Sequence, residues 1–189
     1  MVLQSNPEVE HPEPEPELEI ESDNDDDSSV GEGMTDEEIK DMLTNTYRRS
    51  SNKPMRDPHT ASWVVPISEA DWDKFQAGSR AQDMDERWNL LVERLDEKGG
   101  ISLHIMRSWT QEDCYIVHFV PEDEGGAKIQ GITWEGEKNY LQLPEEEANA
   151  EQAKKDAVIL SRMILHCELE AVPQYPTREL HFSSKVDRE

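Results

Sequence analysis

Ile101-Ser102-Leu103-His104-Ile105-Met106-Arg107-Ser108-Trp109-Thr110-Gln111-Glu112-Asp113-Cys114-Tyr115-Ile116-Val117-His118-Phe119 is the stretch that decides the architecture. Ile101, Leu103 and Ile105 alternate with Ser102, His104 and Met106. Tyr115, Val117 and Phe119 alternate in the same way with Cys114, Ile116 and His118. A period of two places each set on one face of a strand, and the polar residues between them read as the turn of a β-hairpin.

Working outward, Glu124-Gly125-Gly126 is a turn into another strand over residues 127–135, and Lys98-Gly99-Gly100 precedes the first strand of the hairpin. Residues 84–95 are ambiguous. Met84, Trp88, Leu91 and Leu95 fit a helix, whereas Trp88, Leu90 and Val92 fit a strand. From Pro144 to about Leu169 the chain reads as a helix. Pro144 suits its first turn, Glu145, Glu146 and Glu147 suit its positive end, and Ala153, Ala157, Leu160, Ile164 and Cys167 form an apolar stripe.

Met84-Asp85-Glu86-Arg87-Trp88, then Ser102 through Thr110 ending in Arg107-Ser108-Trp109-Thr110, then Ile132-Thr133-Trp134-Glu135, resembles a group of small microbial proteins. These share an Asp-rich opening strand with Arg-Trp, a strand ending in Arg-Ser-Trp-Thr-Gly, and a terminal helix. The group has no established activity to carry over. The resemblance implies that residues 87–95 form the first strand, and Gln111 stands where the group usually has glycine. The expected fold is therefore α+β: a four-stranded antiparallel meander covered by a C-terminal helix, with a disordered acidic N-terminal tail.

The chain carries a formal charge of −24, and sixteen acidic residues against the single Lys40 fall in the first 45 positions. So negative a surface repels nucleic acid and anionic lipid, so neither is an expected partner. A protein partner with a basic surface fits better. Proline, like-charge repulsion and scarce apolar side chains make residues 1–33 a disordered tail. Thr35 and Glu38 then form a capping box, and Ile39, Met42, Leu43 and Tyr47 line one face of a short amphipathic helix over 34–49. A Pro-, Ser- and Asn-rich linker is expected over 50–61, the α+β domain over 62–170, and a polar tail over 171–189. Within that domain Ser68 reads as the N-cap of a short helix bearing Trp72 and Phe75 and ended by Gly78.

The opening residues lack a basic start and an apolar run, no segment is long enough to span a membrane, and only Cys114 and Cys167 are present. The expected compartment is cytosolic or nuclear.

Candidate chemistry centres on the hairpin. With opposed residue numbers summing to 222, His104 would face His118 and Ser108 would face Cys114. Two histidines and a thiol are zinc-ligand types, with His166-Cys167 the only supplement; further ligands are missing, so no metal and no cofactor is expected. Arg107, Trp109 and Trp134 form a second constellation. An arginine beside an aromatic ring can hold a planar anion, and can equally be an internal contact that fixes a turn. No nucleophile-base set or phosphate-cradling loop is present, so no catalytic residue is named. Two functions remain open. One is a non-enzymatic interaction or accessory protein using the acidic tail and capped helix to engage a partner. The alternative is a small ligand-binding protein or tailoring enzyme with a pocket between sheet and helix, where Arg107 orients an anion and His104 or His118 moves protons.

Overall fold

The computed structural model describes residues 35–36, 39–40, 44–95, 99–123, 125–137 and 146–181, all within Met34–Glu189. The element order is β1 (Pro58–Ile67), α1 (Glu69–Ala77), β2 (Trp88–Arg94), β3 (Ile101–Arg107), β4 (Asp113–Pro121), β5 (Ala127–Glu135) and α2 (Glu146–Ile164), followed by a 3-10 turn at Thr177–Glu179. The strands form one antiparallel sheet in the order β1-β5-β4-β3-β2. The expected meander runs from β2 to β5, and the C-terminal helix α2 packs on β4 and β5.

The fifth strand was not expected. β1 pairs with β5, His59 opposite Trp134 and Ile67 opposite Ala127, so the earliest strand in the chain lies beside the last. Part of it, residues 58–61, falls in the stretch expected to be linker. Its polar alternation and its two prolines, Pro58 and Pro66, hide it, and both suit an edge strand. The remainder of that stretch is also engaged: Lys53 N–H donates to Gln111 O at 2.7 Å and Asp113 N–H donates back to Lys53 O at 3.1 Å.

Residues 88–94 are a strand, and the reason for their mixed periodicity is visible. Trp88, Leu90 and Val92 face the main core, while Leu91 packs on the other side with Tyr47 and Met106, so apolar residues occur on both faces. Tyr47 corrects a second expectation. It is not on a helix with Ile39; Thr44 and Asn45 form a turn with Asn45 at φ 52°, after which the chain runs beside β2. There Val92 N–H donates to Asn45 O and Tyr47 N–H to Val92 O, both at 2.9 Å. These bonds, with the reciprocal pair between Ser79 and Leu90, cover the outer edge of β2. The acidic tail 1–33 lies outside the described residues, as do Glu38 of the capping box and Met42 and Leu43 of the expected helix face.

α1 forms as its sequence dictates: Ser68 Oγ accepts Asp71 N–H, and Gly78 ends the helix at φ 62°. It turns Trp72 and Phe75 onto Phe119. α2 ends at Ile164, short of Leu169, and left-handed His166 and Leu169 turn the chain back. Arg162 holds that turn by donating to the carbonyls of Glu168, Leu169, Val172 and Pro173. The expected polar tail is in part core: Val172, Tyr175 and Leu180 pack against it.

Candidate functional site

The β3–β4 hairpin places the candidate residues, and its register differs from the one expected. Ser102 faces His118 and His104 faces Ile116, with an irregularity that pairs Met106 with Asp113. The extra residue is Cys114, which falls between the partners of Ile105 and Met106; at the turn itself Gln111 sits at φ 57° and its N–H donates to Arg107 O. A left-handed backbone at 111 is the conformation that glycine favours. The histidines are therefore not opposed, and Ser108 does not face Cys114.

Alternation along β3 puts Arg107 and His104 on opposite sides of the sheet, so the expected site combining them does not assemble. On the face away from α2, His104 is 4 % exposed. Its Nδ1 lies 3.2 Å from Asp113 Oδ1 and its Nε2 3.2 Å from Glu93 Oε2. The Tyr47 ring stacks on it at 3.5 Å, and Tyr47 O–H donates to Asp113 Oδ2 at 2.8 Å. Burial, and after it the Asp113 charge, pushes the Tyr47 phenol well above its ordinary range. His118 lies in a second chain of contacts: Ser102 Oγ is 3.0 Å from Nδ1, Thr133 Oγ1 is 2.9 Å from Nε2, and Thr60 Oγ1 is 2.9 Å further on. Burial, then the neighbouring His104, holds its imidazole below the usual range. Within each chain of contacts the groups satisfy one another, and Tyr47 of the residues 44–53 strap covers His104. Ser102 is buried, so its hydroxyl is not offered to a substrate.

The thiols add nothing reactive. Burial pushes both Cys114 and Cys167 up to about 12, so both are protonated at neutral pH. No group of three or more potential ligands is gathered among the described residues.

The other constellation also separates in part. Trp134 is 2 % exposed, lies opposite Tyr115 two strands from Arg107, and stacks on His59 at 5.9 Å. It is core. Arg107 instead lies opposite Trp88, its guanidinium carbon 4.3 Å from the ring centroid. Trp109, at the hairpin tip, is 70 % exposed and donates from Nε1 to Met84 O at 3.2 Å. Ser108 laces the same turn to the preceding loop, its N–H donating to Arg87 O and its Oγ–H to Glu86 O. Asp83 Oδ1 fixes that loop by accepting the N–H groups of Asp85 and Glu86.

Three hollows meet around this tip. A cleft of about 390 Å³ is bounded by Arg87, Arg107, Trp109 and Thr110. The two arginines also wall a groove of about 470 Å³ between the sheet end and α2, with Trp88, Met163, Ile164 and Leu180 among its apolar residues. Beyond Trp109, Arg80, Met84 and Asn89 border an open hollow of about 520 Å³. Sequence reasoning named Arg107 and Trp109 and missed Arg87, Tyr47, Glu93 and Asp113. Arg87 stood next to Trp88 in the quoted motif, whereas nothing in an acid-rich chain marks out Asp113. No family model, curated protein or solved structure matches this chain.

Proposed function

We propose that this chain is a non-enzymatic interaction protein that engages a protein partner through the tip of the β3–β4 hairpin, the acidic leader adding attraction for basic surface. One observation carries the reading: Trp109 is 70 % exposed yet anchored through its Nε1–H, with Met84 77 % exposed beside it. Trp, Met and Arg are the residues enriched at the centres of protein interfaces. A held indole also gives up little freedom on binding. Buried His104 and half-buried His118 support the same reading from the other side, since their ring nitrogens are already engaged. The test is crosslinking of the full chain in its native extract, with partners identified by mass spectrometry. Trp109→Ala should reduce crosslinking to a given partner about tenfold with the melting temperature unchanged, because the side chain is mostly outside the core. Undiminished crosslinking would refute the reading.

The groove between Trp88, Arg107 and α2 favours a second reading, a small-ligand protein with its pocket between sheet and helix. A metabolite screen by thermal shift, repeated on Met163→Lys, distinguishes it: a ligand of this groove should lose its shift in that variant.

A further inference from the structure

We infer that the hollow beside Trp109 receives an acidic side chain of the partner polypeptide, its carboxylate on Arg80 and the apolar residues next to it over Trp109 and Met84. This rests on the interaction reading and supplies its chemistry. Arg80 follows closely on Gly78, which ends α1, and the backbone on both sides of it is fixed. Ser79 exchanges hydrogen bonds with Leu90 at 2.8 and 2.7 Å, and Ala81 N–H donates to Asn89 Oδ1 at 2.8 Å. The Arg80 side chain, by contrast, is half-buried and poorly matched. Its Nη2 reaches Thr46 O only at 3.5 Å, the long limit for such a bond, and its Nε is enclosed with no acceptor among the described residues. Burial lowers the pKa of this guanidinium, and no carboxylate among the described residues opposes the shift. It stays protonated at neutral pH. Asp83 borders the same hollow, yet its Oδ1 is taken up by the N–H groups of Asp85 and Glu86, and it forms no ion pair with Arg80.

The groups around the hollow select what fills it. Asn89 is 2 % exposed, and because its Oδ1 accepts a hydrogen bond, the donor edge of its amide lies on the other side. A cation with no counter-charge beside it calls for an acceptor. A carboxylate answers better than a backbone carbonyl, because a partner that covers Trp109 strips further water from Arg80, and a desolvated cation needs a full opposite charge. A free small acid fits less well, since the hollow is open and would leave Trp109 in water. In a polypeptide the residues flanking the acid cover Trp109 and Met84, which are 70 % and 77 % exposed, and keep water from the ion pair. Charge restricts the rest of the partner. At physiological salt, charges more than about 8 Å apart are largely screened, so one carboxylate meets Arg80 at contact. The body around it faces a chain of net charge −24 and should be neutral or basic.

The test uses the full chain and an amidated peptide labelled with fluorescein at its N-terminus, with one glutamate between phenylalanine and leucine and lysines outside them, followed by anisotropy. It should bind about tenfold more tightly than the same peptide with glutamine in place of glutamate. Arg80→Met should erase that difference, and Trp109→Ala should weaken both peptides while leaving their ratio. Methionine keeps the apolar stem, so Arg80→Met should melt within about 4 °C of the parent. A larger fall overturns the inference, since the guanidinium would then be serving a contact within its own chain. Equal binding of the two peptides, no binding of either up to about 1 mM, or a glutamate preference that survives Arg80→Met also overturns it. N-acetylglutamate competing as strongly as the peptide does so in favour of a free acid. The two readings fail separately. If Trp109→Ala loses its crosslinked partner while the two peptides bind alike, the interaction stands and the carboxylate falls. If Trp109→Ala keeps its partner while glutamate exceeds glutamine through Arg80, the chemistry of the hollow stands and the interaction site falls.

Discussion

The imidazole of His118 lies between Ser102 and Thr133, and its half-buried position makes its proton a stability variable. In the unfolded chain the ring takes a proton near pH 6.5. In the folded chain burial and His104 oppose that proton, while Glu93 favours it, and the net shift is downward. Between the two values the unfolded state binds the extra proton, so this group's contribution is complete above about pH 6.5 and is lost as pH falls. His118→Gln, which keeps polar atoms at both ends, should therefore lose less stability than the parent between pH 7 and pH 5 in urea titrations. A second residue-scale expectation concerns Gln111. A β-branched side chain at its left-handed backbone should cost about 1–2 kcal/mol, so Gln111→Val should lower the urea midpoint. Gln111→Gly trades relief of strain against chain entropy and loss of the side-chain bond to Ser108 O, and should stay within about 1 kcal/mol of the parent. The position was legible as a departure from a Gly-containing turn pattern. The shifted register was not, because the parity of the two strands is the same for sums of 220 and 222.

At the scale of elements, the unexpected piece is the strap of residues 44–53. It supplies Tyr47 to a small second core with Leu91 and Met106, bonds the edge of β2 at Val92, and reaches Asp113 at the start of β4. Spacing alone makes Tyr47 one more apolar position on a helix with Ile39. What spacing could not show is the left-handed Asn45 that takes the chain out of the helix before Tyr47. A chain beginning at Thr44 keeps the strap, whereas one beginning at Ser50 exposes Leu91, Met106 and His104 and leaves the Val92 N–H without its partner. Losing a buried aromatic and these bonds should cost roughly 3–5 kcal/mol. The shorter chain should melt roughly 10 °C lower than the longer one by differential scanning calorimetry, and equal melting temperatures would refute this role for the strap. Gly126 makes the same point at the β4–β5 turn. With φ 76° and a Cβ position only 2.4 Å from Ile67 O, it lets the hairpin close on the end of β1. Gly126→Ala should cost about 1–3 kcal/mol in a urea titration.

Across the whole molecule, the sheet strands were legible where apolar residues repeat, and the pairing of β1 with β5 was not, since periodicity carries no information about partners far apart in the chain. The same limit hides the polar ties that close the fold. The chain has 43 acidic residues, and charge counting treats them as one solvated population. Buried Asp71, Asp113, Glu135 and Asp156 behave differently. Glu135 accepts the N–H groups of Arg56, Asp57 and Glu137, which fixes the start of β1. Asp156 on α2 accepts Tyr115 O–H at 2.6 Å and the His181 N–H, tying helix to sheet and to the last described residue. Asp71 on α1 accepts the N–H groups of Glu168 and Leu169 at 2.9 and 2.8 Å, so the first helix after β1 grips the turn beyond α2. Removing that carboxylate leaves two inward-facing backbone donors without partners, each costing about 1–3 kcal/mol. Asp71→Ala should therefore destabilise by about 2–4 kcal/mol. The exposed Asp73, two residues on in the same helix, provides the control: Asp73→Ala should change stability by no more than about 0.5 kcal/mol. Both substitutions remove one negative charge from a chain with a large excess, so any relief of general repulsion is shared. A difference of less than about 1 kcal/mol between the two variants in urea titrations would mean that Asp71 is only part of the surface charge. The expected larger difference would show that the first helix and the C-terminal turn are held together by a carboxylate, through contacts that composition alone cannot distinguish from its neighbours.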